Sequence, residues 1–392
     1  MRRVYLDHNA TTPIHPEVGA AMQHYIQEVW GNPSSIHWAG RDARTGLEEA
    51  RERVAALLNA DPDEVIFTSS GTEADNLALK GVAYARRDRG DHIITTSVEH
   101  PAVIETGQAL EKEGFRVTWL RVDRQGMVDL DDLRRAITPK TILISVMTAN
   151  NETGVLFPIQ EIGELARERG ILFHTDAVQA VGKLLLDVKA LPVDLLSLSA
   201  HKIYAPKGVG ALYIRRGLKL RPLIHGGHQE KSRRAGTENM VGIVALGKAA
   251  ELARQDLEGE AAHLEKLRDR LYEGIVKVID GLHLNGHPEH RLPSTLNVSF
   301  EHVEGESLLL SLDLEGVAVS TGSACSAGTL EPSHVLVAMG LSPEIARGAI
   351  RFSLGKWNTA EDVDYVLDLL PSIVKRLRLL SPFYQPAPLP KA

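Results

Sequence analysis

Through the first two thirds of the chain, short apolar runs alternate with longer stretches of helical period, and small polar residues close each run. Residues 64–68, 92–96, 116–122, 141–147, 171–175, 193–199 and 210–215 are the runs of strand length. Apolar runs of this length bounded by turn signals predict buried strands. Between and before them lie helix-length stretches: Pro16 opens one, residues 37–58 form a second and residues 74–86 a third, and Pro101 starts a fourth. A longer helical stretch follows Asn239 and reaches about Ile279. This alternation predicts an α/β fold. Beyond it the pattern changes. Short strands at 295–300, 316–319 and 349–354 mix with helices, which predicts a smaller α+β domain. Residues 1–15 are polar and turn-rich and must pack on another part of the chain to be ordered. The Pro-rich residues 381–392 have no period of their own, and the chain contains no internal repeat.

Composition narrows the class without changing this outline. The 392 residues suffice for two or three domains. A net charge of −7 with both signs interspersed offers no basic face for nucleic acid. No apolar run is long enough to span a bilayer, and residues 1–7 lack the apolar region of a signal peptide, so the expected home is the cytoplasm. Cys325 is the single cysteine, which excludes an intrachain disulfide and argues against a Cys-ligated zinc. His225 and His228 form a pair without an evident third metal ligand.

Chemistry gathers at the carboxyl ends of the predicted strands, where open α/β sheets place their ligands. The run 193–199 ends in Ser199-Ala200-His201-Lys202, followed by a loop containing Pro206, Gly208 and Gly210. A lysine held there among apolar neighbours favours its neutral amine, which forms a Schiff base with a carbonyl or with pyridoxal phosphate. Lys207 is a rival, but Pro206 and Gly208 make it a turn residue, and Lys202 is preferred. Ser69-Ser70-Gly71-Thr72-Glu73 leads into a helix and is either a phosphate seat or an ordinary cap on Ser70 or Thr72. His100 caps the helix after it, lines a loop, or stacks on a flat ring. Asp176 and Gln179 have capping-box spacing, yet a carboxylate at a strand end also suits a pyridinium nitrogen.

Two further residues stand apart. Ile350, Phe352 and Leu354 alternate to one face of their strand, which sends Arg351 to the other. Alone, Arg351 reads as a solvated charge; beside an amino-acid cofactor site it reads as a fork for an α-carboxylate. Cys325 sits among small residues in Ser323-Ala324-Cys325-Ser326-Ala327-Gly328, which reads as an accessible loop whose thiolate attacks another sulfur, against the alternative of a small buried hydrophobe.

Taken together, Ser199-x-His201-Lys202, Asp176-x-x-Gln179, Ser70-Gly71-Thr72-Glu73, Ser323-Ala324-Cys325, Asn9-Ala10-Thr11-Thr12-Pro13 and Arg351-Phe352-Ser353 resemble the cysteine desulfurases of the class V aminotransferase family. The likeness runs in matching order over nearly the whole chain. Residues 320–336 resemble the subgroup with a longer cysteine loop, the nitrogen-fixation and iron–sulfur-cluster types, and residues 234–239 are closer to the nitrogen-fixation type. Gly71 stands where many members carry Ala, an exchange expected to matter little because the backbone N–H is the useful group.

The resemblance implies the pyridoxal phosphate-dependent transferase fold of the aspartate aminotransferase kind. It comprises a large domain with a mostly parallel sheet (16–255) and a smaller α+β domain carrying the cysteine loop (256–380). The N-terminal segment 1–15 would pack with the small domain, and 381–392 is a tail. It implies a homodimer acting on L-cysteine and passing sulfur to an acceptor protein, an iron–sulfur scaffold or a thiolation protein. Lys202 would hold the cofactor and carry protons, Asp176 pair with the ring nitrogen, His100 stack on the ring and Gln179 contact the ring oxygen. Gly71, Thr72, Ser199 and His201 would bind phosphate, joined by Thr237 of the partner subunit. Asn151 and Arg351 would hold the substrate. Cys325 would take the sulfur as a persulfide and release alanine; no metal is intrinsic, though Cys325 could touch an iron–sulfur cluster transiently. The alternatives are another class V enzyme, such as a selenocysteine lyase or an aminotransferase, in which Cys325 is dispensable, and a colourless scaffold protein with no cofactor.

Overall fold

The computed structural model describes residues 2–321, 332–382 and 384. Its centre is a seven-stranded sheet. From edge to edge the strands are Val65–Thr68, Gly210–Ile214, Leu195–Ser199, Leu172–Asp176, Thr141–Ser145, His92–Thr96 and Arg116–Leu120. Only Gly210–Ile214 runs against the others, so the sheet is mostly parallel. Successive residues on a strand face opposite sides, and both sides here are apolar. Ile93, Leu143, Leu172 and Leu195 pack on one face with Leu77 and Val103 from covering helices. Their chain neighbours Ile94, Ile144, Phe173 and Leu196 pack on the other with Val54, Ile162 and Leu246. Parallel strands buried on both faces place their carboxyl ends at one rim, and that rim carries the site.

A second, four-stranded antiparallel sheet is ordered Ser320–Thr321, Ala349–Ser353, Thr295–Phe300, Leu282–Leu284. Its Leu296, Val298, Ile350 and Phe352 pack against Val366 and Leu370 of the helix Ala360–Leu380. The helix Met240–Val278 serves both cores: Ile243, Leu246 and Ala250 belong to the first, and Leu264, Leu271 and Ile275 to the second. Between them its geometry breaks at Asp256, where φ is −125°. The N-terminal strand Val4–Tyr5 pairs in parallel with Val317–Ala318 beside the second sheet, and the chain then crosses to the rim of the first.

Three of the seven expected central strands end one or two residues early, at Leu120, Ser145 and Ile214; the strand expected to end at residue 175 runs one further, to Asp176, and the other three end where expected. One difference matters for chemistry. The helix expected from residue 74 begins at Gly71, since Ser70 accepts the Glu73 N–H at 3.1 Å and Glu73 returns a bond to the Ser69 N–H at 2.7 Å. Gly71 and Thr72 therefore form its first turn.

Candidate active site

Strand Leu195–Ser199 runs out into a single 3-10 turn, Ala200–Lys202, at the rim. The Lys202 amine donates to the carbonyl of Asn9 and, at 2.9 Å, to that of Ala10. Lys207 is exposed. The next turns of the N-terminal segment are tied to the same loop: the Thr12 N–H donates to the His201 carbonyl at 2.9 Å, and His201 Nδ1 lies 3.2 Å from Thr11 Oγ1. His201 faces this segment, while Ser199 is buried at its strand's last position. Burial, then the Lys202 charge, pushes the His201 imidazole down to about 4.

His100 and Asp176 both feel the charge of the same amine. His100 caps the helix Pro101–Lys112, its Nδ1 accepting the Ala102 N–H at 3.1 Å. Burial, then the charge of Lys202, pushes it down to about 4, so the ring is neutral and flat. Asp176 ends its strand at 5% exposure and accepts the Val178 N–H at 2.8 Å. Burial pushes its carboxyl up to about 6 against the opposing pull of Lys202. The expected capping box is absent: residues 177–180 form a turn rather than a helix, and Gln179 instead donates its Nε2 to the Asn9 carbonyl at 3.0 Å.

Behind Asp176 lies a buried polar layer that the sequence did not single out. Asp75, one turn along the helix from Gly71, is 1% exposed, and burial followed by the Asp176 charge raises its carboxyl well above the usual range. His174 sits between Ser145 Oγ at 2.8 Å and Ser197 Oγ at 3.0 Å, with Asp75 Oδ1 3.7 Å from its Nε2. Glu99, beside His100, accepts from Thr96 Oγ1 at 2.8 Å and from the Met147 N–H at 3.1 Å; burial pushes it up to about 8. Glu152, beside Asn151, is likewise pushed by burial up to about 7 and accepts from Ser333 Oγ. The signal that was available is helical and strand spacing, which puts Asp75 and His174 on inward faces; nothing in the pattern says that they meet.

The helix Gly71–Ala85 aims its first turn at this rim. Its first intrahelical acceptor, the Ser70 carbonyl, takes the Ala74 N–H at 3.1 Å, so the N–H groups of Gly71 and Thr72 lie ahead of the ladder. Together with the positive end of the helix dipole they form an anion seat. Arg351 is only 2% exposed, not solvated; its Nη1 donates to the Asn151 carbonyl at 3.0 Å and its Nη2 to Asp7 Oδ1 at 2.8 Å. Asn151 is thus brought to the site through its main chain. Thr237 is exposed. Cys325 lies outside the described residues.

The site therefore combines an amine, a buried acid, a flat imidazole, an anion seat and a guanidinium. The sequence profile of the aminotransferase class-V family matches residues 4–366. The cysteine desulfurase IscS of Dictyoglomus turgidum is 56% identical over 384 residues, covering 98% of this chain and 98% of that protein. A solved structure described as a NifS-like protein superposes with a TM-score of 0.90 at 43% identity, covering 96% of this chain and 100% of the other. SspA, solved in complex with cysteine, superposes with a TM-score of 0.80 at 38% identity over 91% of this chain and 100% of its own.

Proposed function

The chain belongs to the aminotransferase class-V family and is a cysteine desulfurase, and from that premise we propose that pyridoxal phosphate binds where the strand ends converge on Lys202. The donor set fits this group. Asp176 offers a buried carboxyl for a ring nitrogen, His100 a flat neutral ring to stack, and the Gly71 and Thr72 N–H groups, with Ser199 and His201, a phosphate seat. When bound, the cofactor supplies an electron sink for the substrate's α-carbon.

The chain's own groups do the rest. Lys202 would hold the cofactor through Nζ, and its amine is the group suited to carry the proton at the substrate α-carbon. Gln179 would donate to the ring oxygen. Arg351 and Asn151 hold the α-carboxylate of L-cysteine, for which a guanidinium fork is suited. Cys325 attacks the substrate sulfur as a thiolate: the S–S bond forms, the C–S bond breaks, its electron pair stays with carbon, and protonation there gives L-alanine. A nucleophile of an acceptor protein, an iron–sulfur scaffold or a thiolation protein, then takes the outer sulfur of the persulfide: a bond to that sulfur forms, the S–S bond breaks and Cys325 leaves as the thiolate.

The working form in this proposal is a cytoplasmic homodimer. Ile26, Trp30, Ile36 and Trp38 are all exposed, and the two indoles meet edge to face at 6.2 Å, which supports a covered apolar face. Thr237, exposed in its own chain, would complete the phosphate seat of the other copy. The break at Asp256 supports a division into a large domain, 16–255, and a small one, 256–380.

The observation that carries the proposal is that the Lys202 amine and the Gln179 amide, from the ends of two adjacent strands, donate to the same Asn9 carbonyl, with the buried Asp176 carboxyl at the head of the Gln179 turn. Borohydride reduction and peptide mapping should label Lys202, and Lys202→Ala should abolish both the label and the visible absorption band. Cys325→Ala should keep the band and lose persulfide formation; an undiminished persulfide yield overturns the sulfur-transfer role. Sedimentation of the pure protein should show a dimer.

A further inference from the structure

Lys183 follows the Asp176–Gln179 turn, half-buried, and no role has so far been given to it. Its amine donates to two side-chain amide oxygens, Gln179 Oε1 at 3.1 Å and Asn9 Oδ1 at 3.3 Å. The other ends of both amides are donors in use. Gln179 Nε2 donates to the Asn9 carbonyl at 3.0 Å. Asn9 Nδ2 donates to Thr295 Oγ1 at 2.9 Å and to the Asn151 carbonyl at 3.2 Å. An amide presents an acceptor on one arm and a donor on the other, so a neighbour that only donates decides which way round it sits.

We propose that Lys183 is a positioning residue of the cofactor site, whose amine fixes the orientation of the Gln179 and Asn9 amides so that Gln179 presents its N–H arm to the ring oxygen. The inference rests on the assignment of that contact to Gln179 made above. Three geometric facts support it. Gln179 Nε2 and the Lys202 amine donate to the same Asn9 oxygen, so the Gln179 N–H arm already points to where Lys202 sits. Asn9 is 1% exposed and its Nδ2 donates to the Asn151 carbonyl, which can only accept, so its amide cannot turn over without losing that bond. Lys183 reaches both amides at once, so a single amine sets two orientations.

The groups that face Lys183 are Lys202 from the strand end, Glu260 from the long helix, Arg351 from the second sheet and His8 from the N-terminal segment. Burial, then the Lys202 charge, pushes its amine down to about 7. A neutral amine still carries two N–H groups, enough for both amide oxygens.

A double-mutant cycle on the holoenzyme tests this, read by the dissociation constant for pyridoxal phosphate and the position of the visible band. Gln179→Ala alone should weaken cofactor binding about fivefold to tenfold, the worth of one hydrogen bond. Lys183→Met alone should weaken it by a similar factor and move the band in the same direction. The double variant should lie within about twofold of the weaker single, since residues acting through one contact are not additive. Lys183→Arg, which keeps the donors, should recover most of the loss. If Lys183→Met does not fold, Lys183→Gln, whose amide can accept as well as donate, is read in the same cycle. Effects that multiply in the double variant, or an unchanged band in Lys183→Met, overturn the inference. An unchanged Gln179→Ala overturns instead the ring-oxygen contact on which it stands.

Discussion

Arg351 is paired with Asp7. Its Nη2 donates to Asp7 Oδ1 at 2.8 Å, its Nη1 holds the Asn151 carbonyl, and its Nε is without a partner among the described residues. The guanidinium proposed to grip the substrate carboxylate thus already grips a carboxylate of the chain, so substrate exchanges one anion for another instead of entering a bare cationic site. A buried fork that makes two directed bonds is not replaced by a point charge. Arg351→Lys should raise KM for L-cysteine about tenfold to a hundredfold, the span of one charged hydrogen bond, with a smaller change in kcat. Steady-state alanine formation against cysteine concentration measures both, and an unchanged KM would place the carboxylate elsewhere.

Buried carboxyls give the cofactor-free protein a pH dependence of definite sign. Glu99 is pushed up to about 8 and Glu152 to about 7, against 4.5 as their ordinary value. The folded state keeps protons that the unfolded chain has already released, so stability falls as pH rises through the interval between the two values. Glu99→Gln copies the protonated acid, keeping an oxygen for Thr96 and the Met147 N–H. The wild-type Tm should drop between pH 5.5 and 8.5, and the variant should lose less by about 2–4 °C for each kcal/mol spared. Parallel melts at the two pH values decide it; equal slopes would mean that Glu99 is ionised when folded.

The strand ends were legible because parallel strands buried on both faces leave near-continuous apolar runs closed by polar residues, as in Ile93-Ile94-Thr95-Thr96 and Leu195-Leu196-Ser197-Leu198-Ser199. The polar layer behind them was not. Asp75, His174 and Glu99 are each unremarkable in their own segment, and their meaning comes from helix and strand packing that joins residues up to 99 positions apart. Asn9 illustrates the same limit. It was read within a motif, but its bonds to Gln179, Thr295 and Ser353 depend on a terminal segment crossing from one sheet to the other. Arg351 read alone looks solvated because strand alternation tells which face a residue takes and not what covers that face.

The loop that carries Thr237 is held by a half-buried pair, Arg234 with Glu73, and by a fully buried one. Arg51 grips Glu230 with two bonds of 2.8 Å, and Glu230 also accepts the Phe67 N–H at 2.9 Å. Glu230, Lys231 and Ser232 all have positive φ, a strained run held by that clasp. Glu230→Gln leaves the buried guanidinium with only the exposed Glu48 carboxylate, 3.3 Å from its Nε, and should cost about 3 kcal/mol in urea unfolding, the low end for a broken buried pair. Arg51→Met combined with Glu230→Leu should recover much of it, because no bare charge remains. A double variant as unstable as the single would show that the Phe67 bond matters more than the pair.

Gly71 is needed for space as well as for its N–H. A Cβ there would lie 2.7 Å from Val178 Cγ2 and 3.5 Å from Ser199 Cβ. Val178 donates its N–H to Asp176, so a methyl at position 71 pushes on the turn that aims the proposed ring-nitrogen acid. Alanine keeps the backbone N–H, which on its own implies little effect, but the packing around Val178 gives the exchange a cost. Valine is stiff about χ1, so it cannot simply swing its methyl aside. Gly71→Ala should weaken pyridoxal phosphate binding about threefold to tenfold, the low end of an overpacking penalty. Val178→Ala in the same chain removes the clashing methyl and should restore affinity to within about twofold. Equilibrium titration of the visible band gives all three constants. If Gly71→Ala alone binds as tightly as wild type, Val178 has room to move and the turn does not transmit the strain.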